Sequence, residues 1–438
     1  MHRRHLLKNV AVAPLGIALS GPALAATSDR QATAAMANIQ TNLERWVGFG
    51  IKAAGGEGDN ASGVWIANHL QDCGFAVQRQ SLSVPCFLKE IATFTAAATT
   101  VEVIPQAVVV ATTPAGIIGR IERVDPRLKV NVTPGSIALI ELPFRRWSTA
   151  TAPIIREAVV AAQRQGAAAA MLVTTGPAQG AVALNAPGDA PLFDIPVACI
   201  GAPDARAALA AAARGETGRL VVAGQSGRRP AFNVIARMER KAARTIVVST
   251  PRSGWFTCAG ERGPGIVTFL ELARWAPLAF PRHNLLFTCN TGHEYENAGS
   301  EELLRAEAPD PAKVDLWLHL GAGFAARDWQ DLGSGVRPLD VADPQRAVVT
   351  TRECESAARS AFADLAGLSD PFTSEDMQMG ETGTIIRAGY RRTVGLLGGH
   401  RFHHHPNDDL RCVDARLVVP VIAACKRLLA SAASRPGR

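Results

Sequence analysis

Several familiar signatures are missing from these 438 residues. The eight cysteines, at 73, 86, 199, 258, 289, 354, 412 and 425, show no Cys-x-x-Cys spacing, which sets aside a zinc ribbon or a dithiol redox motif. No Gly-x-Ser-x-Gly occurs, so a serine hydrolase built on a nucleophile elbow is not supported. Beyond the N-terminus there is no run of about 18 apolar residues, the length a bilayer-spanning helix needs. Surplus charge is scarce too. The net +7 includes Arg3, Arg4 and Lys8, and the remainder is scattered, so nucleic acid is not an expected partner. There is no fixed-period repeat. Aromatics are few at 5%, yet 47% of the chain is apolar, enough to bury a large core and to build more than one domain.

The first 25 residues read as an export signal. Arg3-Arg4-His5-Leu6-Leu7-Lys8 precedes an apolar stretch to Leu19 and then Ala23-Leu24-Ala25, the charged, apolar and small-residue regions of such a segment. The paired arginines resemble the twin-arginine type; an ordinary secretory signal is the alternative. Both predict a periplasmic or secreted protein, where disulfides are permitted.

Apolar spacing predicts helices over Ala35 to Trp46 and Ala61 to Cys73, then a strand over Phe75 to Val84. Between residues 88 and 228 the texture changes to short β-branched runs, among them Val101 to Val110 and Ser136 to Leu142. Helices over Pro153 to Gln165 and Pro203 to Ala213 join them, the second expected to start on its proline. From Asn233 strand, loop and helix alternate. Thr245 to Ser249, Asn284 to Cys289 and Val314 to Leu320 are strands, and Ile266 to Trp275, Ser300 to Ala306 and Val413 to Ala430 are helices. That alternation predicts an α/β fold, a mostly parallel or mixed central sheet with helices on both faces.

The most informative segment is Thr291-Gly-His-Glu-Tyr-Glu-Asn-Ala-Gly-Ser300, after the strand Asn284 to Cys289. It puts His293 and Glu294 at a strand's carboxyl end, where an open α/β sheet has its ligand crevice. It is not a His-Glu-x-x-His zinc motif, because Asn297 stands in place of the second His. Gly321-Ala-Gly-Phe-Ala-Ala326 mimics a dinucleotide fingerprint but comes late, before no evident helix.

Together with Cys258-Ala-Gly-Glu-Arg-Gly-Pro-Gly265, Trp317-Leu-His-Leu-Gly321 and His404-His-Pro-Asn-Asp408, this segment resembles the secreted zinc aminopeptidases of metallopeptidase family twenty-eight. Residues 88–228 are similar to the protease-associated domain inserted in some of them, which leaves 26–87 and 229–438 as the aminopeptidase-like domain. That family holds two metals on five ligands and uses the first Glu of a Glu-Glu pair as general base. By resemblance Glu261, Glu294 and His404 fall on the ligands of one metal. The other loses its His at Thr250 and exchanges an Asp for His319, and His293 replaces the base. The resemblance therefore implies a single zinc on Glu261, Glu294 and His404, supported by His319. His293 becomes the catalytic base or proton shuttle, since an imidazole titrates near neutral pH. Arg252 and Trp255, in the loop after the first strand, are candidate substrate contacts, as is Glu381, where the family carries Ser-Asp-His. The implied function is an exported metallohydrolase acting on a peptide or small amide. The alternative is a pseudopeptidase that keeps the crevice for a ligand or partner.

Overall fold

A computed structural model describes residues 22–333, 335–374 and 380–433. Arg3 and Arg4, on which the export reading rests, lie outside them. Among the described residues no helix is long and apolar enough to cross a membrane.

The short apolar runs after Asn233 become the central sheet. Thr245–Pro251 lies between Asn284–Asn290 and Val314–Leu320, parallel to both, and Thr393–Gly398 continues the parallel set beyond Val314–Leu320. Arg346–Thr350 on one side and Thr217–Met238 on the other are antiparallel, so the sheet is mixed at its margins. Alternate residues of each strand serve opposite faces. Val248, Phe287 and Leu318 pack under the helix Ala259–Ala279, while Val247, Leu286 and Trp317 meet Leu303 and Ile385 of the helices Ala298–Ala306 and Gly380–Arg387. Both faces are covered, which is why apolar residues sit on both faces of these strands rather than alternating with polar ones.

Ala76–Ala96 and Thr217–Met238 are long antiparallel partners with one irregularity, between Lys89 and Ile91. They carry the sheet into a second set of strands. Ile117–Val124, Ile137–Glu141, Ala169–Thr174 and Val197–Gly201 lie parallel in that order. Here Ala138 and Ile140 face the helix Pro153–Arg164 through Ile155 and Val159, and Ile137 and Leu139 face Ala208 and Ala211 of the helix Arg206–Ala213.

Three local expectations change. The helix expected from Pro203 begins at Arg206 after a turn, so the proline precedes the helix rather than opening it. Of the run Val101 to Val110 only the short strands Thr99–Glu102 and Ile104–Pro105 enter the sheet. Gly321 to Ala326 leads into the strand Arg327–Asp331, paired antiparallel with Val336–Ala342, so no helix follows it to receive a dinucleotide phosphate.

Phe287 is fully buried and meets Phe75 and Phe269 edge-on at 5.1 and 5.3 Å. Phe287→Ala is expected to cost about 3–5 kcal/mol, measured by urea unfolding; a loss below about 1 kcal/mol would contradict this packing.

Candidate functional site: an arginine among imidazoles and carboxylates

The carboxyl ends of the parallel strands Thr245–Pro251, Asn284–Asn290, Val314–Leu320 and Thr393–Gly398 deliver the site. Cys258, in the left-handed conformation at φ 53°, turns the chain into the helix Ala259–Ala279. Gly254 makes that turn possible, because a Cβ there would lie 2.4 Å from the Cys258 sulfur. The helix start is capped from far along the chain: the Asp408 carboxylate accepts the N–H groups of Gly260 at 2.6 Å and Glu261 at 3.0 Å. An anion there satisfies otherwise unpaired donors and complements the helix dipole. This cap ties the loop carrying His404 to the turn carrying Glu261.

Glu261 and His404 meet, with Oε1 and Nε2 3.3 Å apart and both side chains buried. The His403 ring stacks on His404 with centroids 4.1 Å apart. Together the three residues place one carboxylate and two imidazole donors within 4.8 Å of one another. The other neighbour of Glu261 is Arg262, whose Nη2 lies 2.8 Å from Oε1. Arg262 is only 1% exposed, and its Nε donates to the Ser253 carbonyl at 2.8 Å. Burial opposes charge on Glu261, but Arg262, His404 and His403 hold its carboxyl well below the usual range. The same guanidinium acts electrostatically on His293, His319, Glu381 and His403. It is the fixed cation common to the whole cluster.

Glu294 does not join this cluster. Its Oε1 accepts the Ala54 N–H at 3.0 Å and its Oε2 lies 2.5 Å from the Ser253 hydroxyl. Burial pushes its carboxyl up to about 7. The expected set of Glu261, Glu294 and His404 is therefore brought together only in part, and His403, not singled out from the sequence, takes the third place. His293 and His319 gather on Glu381 instead. His293 Nδ1 is 3.2 Å from Oε1, and His319 Nε2 is 3.9 Å from Oε2. Ser249 Oγ accepts the Trp317 indole N–H at 2.7 Å and lies 2.9 Å from His319 Nδ1; with the Nε2 proton turned to the acceptor-only Glu381 carboxylate, the Ser249 hydroxyl donates to Nδ1. Burial lowers His319 to about 4, and burial and Arg262 also lower His293. Both imidazoles are neutral at pH 7. Burial works against charge on Glu381, yet the hydrogen bond with His293 and the neighbouring His319 keep it below the usual carboxyl range.

Arg252 is not a substrate contact. It is fully buried, paired with Asp59 at 2.9 Å, and bonded to the carbonyls of Asp59, Cys289 and Phe232, and it lines neither the His293 pocket nor the Trp255 cavity. Thr250 is likewise occupied, donating to the Leu320 carbonyl at 2.8 Å. Trp255 donates to Asn185 Oδ1 at 2.8 Å and lines a different cavity from His293. Glu381, His293, His319 and His403 open onto a pocket of about 310 Å³, whose opposite wall includes Ser148, Thr149 and Asn185. Cys258 and Cys289 are buried thiols pushed up by desolvation, so neither is poised as a nucleophile.

Solved structures match this arrangement of elements along nearly the whole chain. A peptidase M28 precursor from Shewanella amazonensis SB2B has a TM-score of 0.71 at 18% identity, covering 94% of this chain and 97% of its own. A zinc aminopeptidase from Bacillus subtilis gives 0.67 at 14% identity over 91% and 95%. An aminopeptidase from Aneurinibacillus sp. strain AM-1 gives 0.66 at 16% over 92% and 95%. The fold is that of the zinc aminopeptidases. No protein-family model matches the sequence, and no curated protein matches it either. At these identities the likeness carries the fold, and the chemistry has to be argued from the residues.

Part of the expected donor set is engaged within the protein, while the two Glu261 oxygens make no hydrogen bond. Thr250 spends its hydroxyl on a carbonyl, Glu294 is turned to Ser253 and Ala54, and a guanidinium already neutralises Glu261.

Glu294 binds a proton more tightly in the folded chain than an ordinary glutamate, whose carboxyl titrates near 4.5. Its contribution to stability is thus present at low pH and is lost as pH rises from 4.5 through about 7. Relative to Glu294→Gln, which mimics the protonated acid, the wild type is expected to lose on the order of 3 kcal/mol over that interval, since each tenfold gain in proton affinity is worth about 1.36 kcal/mol. Unfolding by denaturant at several pH values measures the difference; a constant difference would contradict the assignment.

Proposed function

We propose that this chain is a pseudopeptidase, an aminopeptidase-fold protein in which an arginine-centred ion network stands in place of the metal centre. Its crevice binds a peptide end or small amide without cleaving it. The observation that carries this reading is Arg262, a permanent cation buried against Glu261 among the side chains that would otherwise face a metal. Bringing a divalent cation beside a buried guanidinium, and sharing Glu261 between the two, is costly in a low-dielectric interior. Neutral His293 donates to Glu381 and neutral His319 faces it, so the two imidazoles present a fixed polar wall rather than a free base. Residues 88–228 are read as a protease-associated insert, whose Ser148, Thr149 and Asn185 complete the pocket. Delivery to the periplasm or the exterior follows from the N-terminal signal.

A second reading is favoured by one specific geometry. His404 Nδ1 lies 3.0 Å from the Ala183 carbonyl, which can only accept, so Nδ1 carries a proton. Its Nε2 then faces the Glu261 carboxylate at 3.3 Å. That contact is favourable if Nε2 is protonated too, or if a cation lies between the two groups. A single zinc on Glu261, His403 and His404 would have the His₂Glu composition of catalytic sites and would act there as a Lewis acid. Arg262 lies against Glu261 Oε1, while Oε2 is buried without a hydrogen-bond partner.

The experiment is zinc content after reconstitution, with cleavage of aminoacyl-anilides measured with and without chelator. Wild type is expected to hold no stoichiometric zinc and to cleave nothing. Arg262→Met is expected to gain zinc, because it exposes the Glu261–His403–His404 donor set. One zinc per wild-type chain with chelator-sensitive cleavage would overturn the proposal in favour of the single-zinc hydrolase.

A further inference from the structure

A second cavity, of about 360 Å³, lies on the other side of the Trp255–Asn185 hydrogen bond and shares no lining residue with the His293 pocket. Its size falls within the range of small-molecule sites, about 300–1,000 Å³. Its wall is built from two parts of the chain. Trp255, Phe256 and Tyr295 come from the loops at the strand ends, and Val103 to Val109 arrive from the residue 88–228 segment.

Three features of this cavity point to one class of ligand. Its walls are mainly aliphatic and aromatic. Among the described residues, its only charged lining residues are Lys89 and Arg229, both cations, with no carboxylate among them. Neither cation has an ion pair with a described residue, in contrast to Arg252 and Arg262, each held by its own acid. Arg229 is anchored by its Nε, which donates to the Ala54 carbonyl at 2.7 Å, so its position is set while its terminal nitrogens make no side-chain ion pair. The aromatic wall is also fixed. Trp255 is held by Asn185 and meets Tyr295 edge-on at 5.9 Å. Such a wall loses little conformational entropy when an apolar chain packs on it.

We propose that this cavity binds an apolar monoanion of the medium-chain alkyl carboxylate class. The hydrocarbon lies against Trp255, Tyr295 and Val108, and the carboxylate faces Arg229 and Lys89. Each buried methylene of an alkyl chain tightens binding about fourfold, and a guanidinium or ammonium supplies charge-assisted hydrogen bonds to the head group. The site does not draw on the proposed loss of metal chemistry: of its lining residues Ala183 touches the His404 cluster, through its backbone N–H and carbonyl, and neither Arg229 nor Lys89 does.

Isothermal titration of the full chain with decanoate tests this, with decanol and decyltrimethylammonium as neutral and cationic controls. Saturable one-to-one binding of decanoate is expected, at least about tenfold tighter than either control, a difference of about 1.4 kcal/mol. Arg229→Met is expected to weaken binding about tenfold. Lys89→Glu, at an exposed position that cannot disturb the core, is expected to do the same with an unchanged unfolding midpoint. Equal affinity for decanol and decanoate, binding indifferent to Lys89→Glu, or no binding at all would each overturn the proposal.

Discussion

The buried contact between Arg262 and Glu261 is the constraint on which the rest of the site depends. A guanidinium cannot shed its charge in a protein, so its surroundings must supply counter-charge or the fold loses several kcal/mol. Glu261 supplies it directly at 2.8 Å, and the Ser253 carbonyl accepts from its Nε. Ser253 in turn holds Glu294 through its hydroxyl, and Glu294 receives the Ala54 amide. One cation thereby sets the direction of two carboxylates and fixes the loop before the helix Ala259–Ala279. The Asp408 cap on the same helix start brings in the His400 to Asp408 loop, so the two halves of the crevice are fastened at a single turn.

Under the proposed reading, this arrangement holds the crevice side chains in place without a metal. In a metal centre, clustered carboxylates and imidazoles are held against mutual repulsion by the ion. Here Arg262 balances Glu261, and Glu381 is faced by the N–H groups of neutral imidazoles. The His319 side chain is oriented by Ser249, itself held by the Trp317 indole. Ion pairs and hydrogen bonds orient these side chains, while both Glu261 oxygens, the Arg262 Nη1 and Nη2, and Glu381 Oε2 are buried without a hydrogen-bond partner and remain open to a ligand.

Much of the fold was legible in the sequence because the parallel strands are covered on both faces. Thr245 to Ser249, Asn284 to Cys289 and Val314 to Leu320 are short segments with apolar residues on both faces of the strand, and that pattern follows the fold rather than the function. Glu261 and His404 were placed near each other by the resemblance alone, and they meet at 3.3 Å. Glu294 was not, because its direction is decided by Ala54, 240 positions earlier, and by Ser253. Arg252 looked like a crevice cation for want of its partner Asp59, 193 residues away. Arg262 was hidden in plain view: a Glu-Arg neighbour pair normally marks a solvated surface, and only burial turns it into the centre of a site. His403 was obscured by its place in a run of three histidines, which alone reads as exposed.

The most direct test of this account is diffraction from crystals grown with excess zinc, with data collected on both sides of the zinc absorption edge. The account predicts guanidinium density for Arg262 against Glu261 and no anomalous peak among Glu261, His403 and His404. A strong peak at that position, with Arg262 swung away from Glu261, would contradict it.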